Sequence, residues 1–207
     1  MEIITMSLGS MGVNTYLIID EDTKETAVVD PGAGADLIEK ELNKRNCNLK
    51  YILLTHAHAD HIGAVSYLKE KYPEADIAVH EADVDILKTP HKNYSNAILN
   101  RAVSIDADLI LKADSKILIG KNEFTIISTP GHTPGSICYY IPNVLISGDT
   151  LFKGSVGRWD LFGGDLSSLR ESVKKLLRLP EDTKVLPGHG PASTIAFEKQ
   201  NNMFSEI

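Results

Sequence analysis

The stretch YILLTHAHADHIG, residues 51–63, places three of the chain's seven histidines within six consecutive positions. These are His56, His58 and His61, and the carboxylate of Asp60 stands between the last two. Each ring nitrogen of a neutral histidine needs a partner, and protonated histidines repel one another, so such crowding is favourable mainly around a cation. The stretch therefore predicts a metal-binding loop.

The residues on either side place this loop between a strand and a helix. YILL, residues 51–54, is a short apolar run of the kind that forms a strand buried on both faces. HIGAVSYLKEKYP, residues 61–73, has helical spacing and stops at a proline. The candidates up to Asp60 are expected in the connecting loop, with His61 opening the helix. Loops at the carboxyl ends of strands are where α/β proteins usually place their chemistry.

The rest of the chain repeats strands and helices in an order typical of an α/β domain. Short apolar runs predict strands in the first thirty residues and again from residue 108 onward. Helical spacing recurs in GADLIEKELNKRN (34–46), LSSLRESVKKLLRL (166–179) and TIAFEKQNN (194–202). Residues 89–107 interrupt the alternation and are predicted to be an insertion, with one helical turn around 97–102. The pattern predicts one domain over 1–207, with two packed sheets and helices outside them.

Composition narrows the class of protein. The chain has 207 residues, of which 43% are hydrophobic and 24% charged, and this is ordinary globular composition. No apolar run approaches the length of a membrane span, and the N-terminus does not read as a signal peptide, so a cytoplasmic protein without a membrane partner is expected. A formal net charge of −7 argues against a nucleic-acid partner. The sequence leaves the oligomeric state open.

Three further candidate ligands share one sequence context. His132, Asp149 and His189 each follow a predicted strand, and each is directly preceded by glycine. A glycine there indicates unusual backbone torsions or a close approach that lets the next side chain converge with others. The three residues are therefore predicted to converge with the cluster.

The chemistry of these seven side chains suits two divalent ions. Imidazoles and carboxylates without thiolates fit zinc, iron, manganese or cobalt, and they argue against a structural zinc site, which usually contains cysteine. Seven ligands are too many for one tetrahedral ion, but they fit a pair with a bridging carboxylate and a water position. Zinc is the expected ion, with iron or manganese as alternatives. Asp30 is predicted to support the ligand loop, whereas His80 and His91 are predicted to lie outside the cluster.

Four motifs taken together resemble the metallo-β-lactamase-fold hydrolase superfamily. They are THAHADH (55–61), PGHTPGS (130–136), SGDTLF (147–152) and PGHG (187–190). The resemblance implies an αββα four-layer sandwich with the metals at one edge between the sheets. It also implies that His56, His58 and His132 bind one ion, that Asp60, His61 and His189 bind the other, and that Asp149 bridges them.

Within this superfamily the full ligand set most resembles glyoxalase II and its relatives, which hydrolyse S-acyl thioesters. The β-lactamases lack the histidine at the His61 position and usually carry cysteine where this chain has Asp149, which argues against antibiotic hydrolysis. The resemblance implies a small-molecule thioester substrate, contact of Arg158 with its thiol moiety, and a role for Asp60 in orienting or deprotonating the attacking water. The helical domain that follows the last histidine in true glyoxalase II is missing, so a short single-domain type is predicted. Residues 89–107 and 153–164 are expected to replace it in substrate contact.

Three alternatives remain open from the sequence. A persulfide dioxygenase of the same fold would use one iron held by His56, His132 and Asp149, a two-histidine one-carboxylate site. A nuclease of the RNase Z kind is disfavoured by the acidic balance of the chain. A metal-stabilised binding module would hold metal without turnover. Iron content, oxygen consumption and a phosphodiester assay separate these alternatives from a thioester hydrolase.

Overall fold

The structure, a computed structural model, describes residues 1–205; positions 206–207 of the predicted domain lie outside the described residues. Its first sheet contains six strands that lie side by side in chain order. The first three strands run antiparallel to one another, and the third to the sixth are parallel. The strands are β1 (Glu2–Leu8), β2 (Val13–Ile19), β3 (Glu25–Val29), β4 (Asn48–Leu53), β5 (Asp76–His80) and β6 (Leu109–Leu111).

The second sheet also has six strands, in the order β14, β13, β10, β9, β8, β7. Only β10 and β13 pair in parallel; the other neighbours are antiparallel. Two short strands, β11 (Leu151–Phe152) and β12 (Ser155–Val156), form a separate hairpin. The strands of the second sheet are β7 (Lys116–Ile119), β8 (Asn122–Ser128), β9 (Ile137–Ile141), β10 (Val144–Gly148), β13 (Lys184–Pro187) and β14 (Ser193–Thr194).

Amphipathic helices cover the outer face of each sheet because their apolar residues recur at helical spacing. Ile38 and Leu68 pack into one apolar cluster with residues of the first sheet. Leu169 and Ile195 pack into another with residues of the second sheet. The helices are α1 (Ala35–Lys44), α2 (Ala59–Ile62), α3 (Val65–Lys71), α4 (Val84–Lys88), α5 (Ser95–Ile98), α6 (Leu166–Leu176) and α7 (Ile195–Asn201).

A third apolar cluster fills the space between the two sheets. Its large buried side chains include Tyr16 from β2, Phe124 from β8 and Tyr139 from β9. The buried phenols keep hydrogen bonds, since Tyr16 donates to the carbonyl of Pro187 at 2.6 Å and Tyr139 to the carbonyl of Leu54 at 2.9 Å. Three apolar layers between four structural layers confirm the predicted αββα sandwich.

The structure differs from the sequence prediction at three local points. The helix predicted over 61–73 is divided into α2 and α3, because the N–H of Ala64 bonds to the carbonyl of Pro31 at 2.8 Å. Helix α2 begins at Ala59, so Asp60 does not lie in the preceding loop and His61 does not open the helix, contrary to the prediction. The helical turn expected around 97–102 is α5, which begins two residues earlier. Within residues 1–205, no helix is both long and apolar enough to cross a bilayer.

Candidate metal centre

All seven predicted ligands meet at one edge of the sandwich. His56 and His58 follow β4, and Asp60 and His61 belong to α2. The other three follow strands of the second sheet: His132 comes after β8, Asp149 after β10 and His189 after β13. Because both sheets present these strand ends to the same edge, residues far apart in sequence form one cluster. Their role as metal ligands remains a prediction that this geometry supports.

Three imidazoles form the first half of the cluster. His58 Nδ1 lies 2.9 Å from His132 Nε2, and His132 Nε2 lies 3.2 Å from His56 Nε2. All three side chains are buried. The donor atoms lie within 4.8 Å of one another, as the ligands of a single ion must.

Asp60, His61 and His189 form the second half, with donor atoms again within 4.8 Å of one another. His189 Nε2 is 3.2 Å from Asp60 Oδ2. Asp149 lies between the halves: its Oδ1 is 3.4 Å from His61 Nε2, and its Oδ2 is 3.6 Å from His132 Nε2. This carboxylate has the position that a bridging ligand requires.

Hydrogen bonds fix the tautomers of three histidines. Thr55 donates its hydroxyl hydrogen to Asp30 at 2.6 Å, so its oxygen accepts from His56 Nδ1 at 3.1 Å. His132 Nδ1 donates to the carbonyl of Arg158 at 2.7 Å. His189 Nδ1 donates to the carbonyl of Met11 at 3.1 Å. In each ring the Nε2 lone pair is therefore left to point into the centre, as metal coordination needs.

This arrangement fits bound cations. The Nε2 lone pairs of His56 and His132 face each other at 3.2 Å, and neither ring has a hydrogen to place between them. Among the described residues, His61 Nε2 and Asp149 Oδ1 are buried without hydrogen-bond partners. Buried lone pairs and orphaned polar atoms are costly unless a positive ion lies between them. The donor set of nitrogens and carboxylate oxygens suits zinc or iron.

The two halves also differ in charge. Burial, reinforced by the neighbouring imidazoles, lowers the pKa of His56 well below its usual range. Burial and then His132 lower the pKa of His58 to about 3. Burial alone would also lower the pKa of His61. Three carboxylates outweigh that effect and raise the pKa of this residue to about 10; they belong to Asp149, Asp60 and Asp30. Without metal, His56 and His58 are neutral, and the second half carries an imidazolium at His61.

The predicted supporting carboxylate lies behind the second half. Asp30 Oδ2 is 3.0 Å from His61 Nδ1, and Asp30 Oδ1 accepts from the N–H of Thr55 at 2.8 Å. Asp30 thus contacts one candidate ligand directly and another through Thr55. His80, in contrast, accepts from the N–H of Ala82 at 3.3 Å and takes no part in the cluster.

The sequence did not reveal a second buried carboxylate. Asp83 accepts hydrogen bonds from the N–H of Ala57 at 3.0 Å, the N–H of Gly135 at 2.7 Å and the hydroxyl of Thr133 at 2.8 Å. These donors lie in the loops that carry His58 and His132. Burial raises the pKa of Asp83 despite these bonds. No pattern in its stretch, EADVDIL, distinguishes this residue from the exposed Asp85.

The glycines before the distant ligands behave as predicted. Gly131 and Gly148 have positive φ angles of 136° and 48°, which side chains rarely tolerate. Gly188 has no such angle, but a Cβ there would lie 2.2 Å from Asp149 Oδ1. A larger residue at position 188 would therefore displace the bridging carboxylate.

A cleft of about 460 Å³ opens over the cluster, and His58, Asp60, His132, Asp149 and His189 form its floor. Its walls are mainly apolar and come from the two predicted substrate segments, the β1–β2 turn and the end of β11: Met11, Tyr94, Ala97, Ile98, Phe152, Val156, Leu161. Arg158, the predicted substrate contact, also lines the cleft, but its guanidinium forms two hydrogen bonds with Asp160, at 2.9 and 3.0 Å. The volume and lining suit a small organic substrate.

Tyr94 connects the two wall segments. Its hydroxyl accepts from the N–H of Phe162 at 2.8 Å, and its ring centroid lies 5.6 Å from that of His58. The residue adopts a left-handed backbone with φ of 63°, which is unusual for a side chain of this size. Residues 89–107 and 153–164 are therefore joined directly above the candidate centre.

A clamp between the sheets holds the last ligand loop. Asn14, in β2 of the first sheet, donates its side-chain amide to the carbonyls of Pro187 at 3.0 Å and Gly190 at 2.8 Å. Its backbone N–H also donates to the carbonyl of Gly188 at 2.8 Å. His189 is thus held by the first sheet as well as by β13, which precedes it.

The αββα fold and the cluster of histidines and aspartates at its edge together define a hydrolase of the metallo-beta-lactamase superfamily. The sequence model of the metallo-beta-lactamase superfamily matches residues 8–189, and the chain belongs to this family. Probable metallo-hydrolase YqgX of Bacillus subtilis is 36% identical over 203 residues, covering 96% of this chain and 95% of YqgX. Hydroxyacylglutathione hydrolase GloC of Haemophilus influenzae is 34% identical over 191 residues, covering 90% of each chain.

Two solved structures extend the comparison. BLEG-1, a B3 metallo-beta-lactamase, superposes with a TM-score of 0.92 at 38% identity, covering 99% of both chains. TTHA1623 in a di-iron-bound form superposes with a TM-score of 0.86 at 34% identity, covering 97% of this chain and 99% of that one. The fold therefore accommodates iron in one of its members, and the bound metal need not be zinc.

Proposed function

We propose that this protein is a binuclear metal-dependent hydrolase of S-acyl thioesters. The observation that carries the proposal is the arrangement of two ligand groups around Asp149 on the floor of an apolar cleft. The similarity to GloC favours a thioester over other acyl compounds. Zinc is the proposed ion, and iron is the alternative that the similarity to TTHA1623 favours.

The residues around the centre have distinct tasks in this reaction. Two divalent ions, when bound, supply hydroxide at neutral pH and polarise the acyl carbonyl. Asp60, whose carboxylate reaches both the second ligand group and the cleft, orients the attacking water or accepts its proton. A thiol leaving group with a pKa near 8.5 departs as thiolate, so no separate general acid is required.

A second candidate is hydrolysis of β-lactams, which the similarity to BLEG-1 favours. Both reactions open an acyl bond by attack of water on a carbonyl, and both fit a cleft of this size. His61 and Asp149, where β-lactamases usually differ, favour the thioester. Parallel assays with a β-lactam separate the two functions.

The test follows the loss of thioester absorbance of S-D-lactoylglutathione with protein treated with chelator and then reconstituted with zinc. We expect turnover only after zinc is restored. His58→Ala should abolish turnover and bind less zinc, while His91→Ala, a histidine outside the cluster, should leave both unchanged. Fully metallated protein that cleaves no thioester would contradict the proposal. One bound iron per chain together with oxygen consumption would instead support the dioxygenase.

Arg158 is proposed to contact an anionic thiol moiety. Its partner Asp160 competes for the guanidinium, but an ion pair this exposed contributes little, so a substrate carboxylate can replace it. Arg158→Ala should raise KM for S-D-lactoylglutathione about tenfold with kcat little changed. Asp160→Asn should lower KM, because it frees the guanidinium. Unchanged steady-state kinetics in both variants would remove Arg158 from the substrate site.

A further inference from the structure

Two cavities meet beside Asp60. The main cleft adjoins a narrow slot of about 50 Å³ at the side chains of Met11 and Ile98. The cleft and the slot share these three residues as lining. A chain-like group whose reacting carbonyl lies over the centre can therefore extend into the slot without leaving the protein.

The slot is mainly apolar, with Asp60 and Ser10 as its polar side chains. Besides Met11 and Ile98, its walls include the side chains of Leu8, Ala33 and Leu99. The β1–β2 turn lies close over residues 32–33, since a Cβ at Gly9 would come within 2.8 Å of Ala33 Cβ. Such a narrow apolar space binds methylene groups and excludes hydrated ones.

The slot and Arg158 lie at opposite ends of the candidate centre. The backbone carbonyl of Arg158 contacts His132 and its positive charge acts on His58, both of the first ligand group, whereas the slot is bordered by Asp60 of the second. A thioester that spans the centre therefore has one end near the guanidinium and the other at the slot. The polar thiol moiety suits the guanidinium, which leaves the slot to the acyl chain.

We propose that the slot selects thioesters with an unbranched apolar acyl chain of four or more carbons over short or hydroxylated ones. This inference rests on the proposed thioester hydrolysis and adds the class of acyl group. Acetyl and lactoyl groups are too short to fill the slot. Each methylene that enters it should raise kcat/KM about fourfold, from the usual free energy of burying one such group.

The test compares S-acetyl-, S-butyryl-, S-hexanoyl- and S-D-lactoylglutathione with the zinc-loaded protein, so that only the acyl group varies. We expect kcat/KM for hexanoyl to exceed that for acetyl and lactoyl at least tenfold. Ile98→Phe, which narrows the slot, should abolish this preference. Leu118→Phe is the matched control, because Leu118 is 50% exposed on β7 and lines neither cavity. Met11→Trp provides a second obstruction at a residue whose exposure tolerates substitution.

A binding measurement separates this inference from the proposed function. Calorimetry with S-hexyl- and S-ethylglutathione, thioethers that cannot be hydrolysed, should show tighter binding of the hexyl compound, lost in Ile98→Phe. Thioester turnover with no dependence on chain length would overturn the slot and leave the hydrolase standing. If no thioester is cleaved, the proposed function fails, and tighter hexyl binding would still support the slot. Equal binding of the two thioethers would overturn it.

Discussion

Asp83 shows how single residues hold the candidate centre together. Its carboxylate accepts hydrogen bonds from Ala57, Thr133 and Gly135, which lie in two ligand loops of different sheets. The side chain is fully buried, so no water can replace it as the acceptor. The distance between His58 and His132 therefore depends on a residue that touches neither.

Replacing Asp83 should weaken both stability and metal binding. Asp83→Ala leaves the buried N–H groups of Ala57 and Gly135 without an acceptor and leaves the Thr133 hydroxyl only Ser136, so we expect the free energy of unfolding to fall by about 3 kcal/mol. Zinc bound per chain after dialysis should fall as well, because the two loops separate. Denaturant titration and metal analysis measure the two effects. Asp106→Ala, at a residue 89% exposed on its side chain, should change neither measurably. Full zinc occupancy in Asp83→Ala would show that the loops carrying His58 and His132 keep their positions without Asp83.

At this scale the sequence predicted the candidate ligands but not most of their supports. The ligands were visible because histidines are rare and because glycines and strand patterns mark their positions. Asp30 could be predicted from its place at a strand end. Asp83, Asn14 and Tyr94 act through contacts with residues distant in sequence, and no local pattern encodes such contacts. Their types, an aspartate, an asparagine and a tyrosine, are also common at positions without any such role.

Secondary-structure elements were predictable where one apolar face is strong. Helices α1 and α6 have the predicted extent to within a few residues, because Ile38, Leu42, Leu169 and Val173 recur at helical spacing. The division between α2 and α3 was not predictable, since it depends on a hydrogen bond to Pro31 from another part of the chain. The helical turn α5 was predicted, but its start at Ser95 was not.

Helix α7 supports one wall of the cleft. The buried Glu198 accepts from the N–H of Gly154 at 2.9 Å, in the turn between β11 and β12, and from the amide of Asn202 at 2.8 Å. This hairpin carries Phe152 and Val156, which line the cleft. A residue of the helix thus determines the position of two wall residues without reaching the cleft itself.

Glu198→Ala should therefore destabilise the protein and loosen the cleft. We expect a loss of about 2 kcal/mol in the free energy of unfolding, because the amides of Gly154 and Asn202 lose a buried acceptor. KM for a cleaved thioester should rise more than kcat falls. Lys199→Ala, a neighbouring exposed substitution, is the control for both measurements. A Glu198→Ala variant with wild-type KM would show that the β11–β12 hairpin keeps its position without the Glu198 hydrogen bond.

For the whole molecule, the order of strands and helices predicted the layers but not the detailed arrangement of the strands. Two groups of strands with helices outside them allow several strand orders. The observed order places β4, β8, β10 and β13 so that the loops after them meet at one edge. It was the resemblance of four motifs, more than periodicity, that predicted this convergence.

Metal binding to the whole protein should be linked to protons. His61 has a pKa of about 10 in the absence of metal, so at pH 8 it is protonated and must lose its proton to bind an ion. His56 and His58 are already neutral and release none. Zinc affinity should consequently rise with pH up to about 10 and then level off.

Titration calorimetry of chelator-treated protein at pH 8, in buffers with different protonation enthalpies, measures this release. We expect at least about one proton per chain. The same value is expected for His91→Gln, because His91 lies outside the cluster. Heats that do not depend on the buffer would contradict the charge assigned to His61.

The clamp by which Asn14 holds the loop of His189 has a consequence for how the protein is made. As the chain emerges from the ribosome, β1 to β6 and the first four candidate ligands are complete while the second sheet is still missing. At that stage the side-chain amide of Asn14 in β2 has not yet met its acceptors, the carbonyls of Pro187 and Gly190. Docking of the two sheets is thus the step that closes the centre. Zinc capture during refolding should follow that step, and its rate should report the slowest long-range pairing in the molecule.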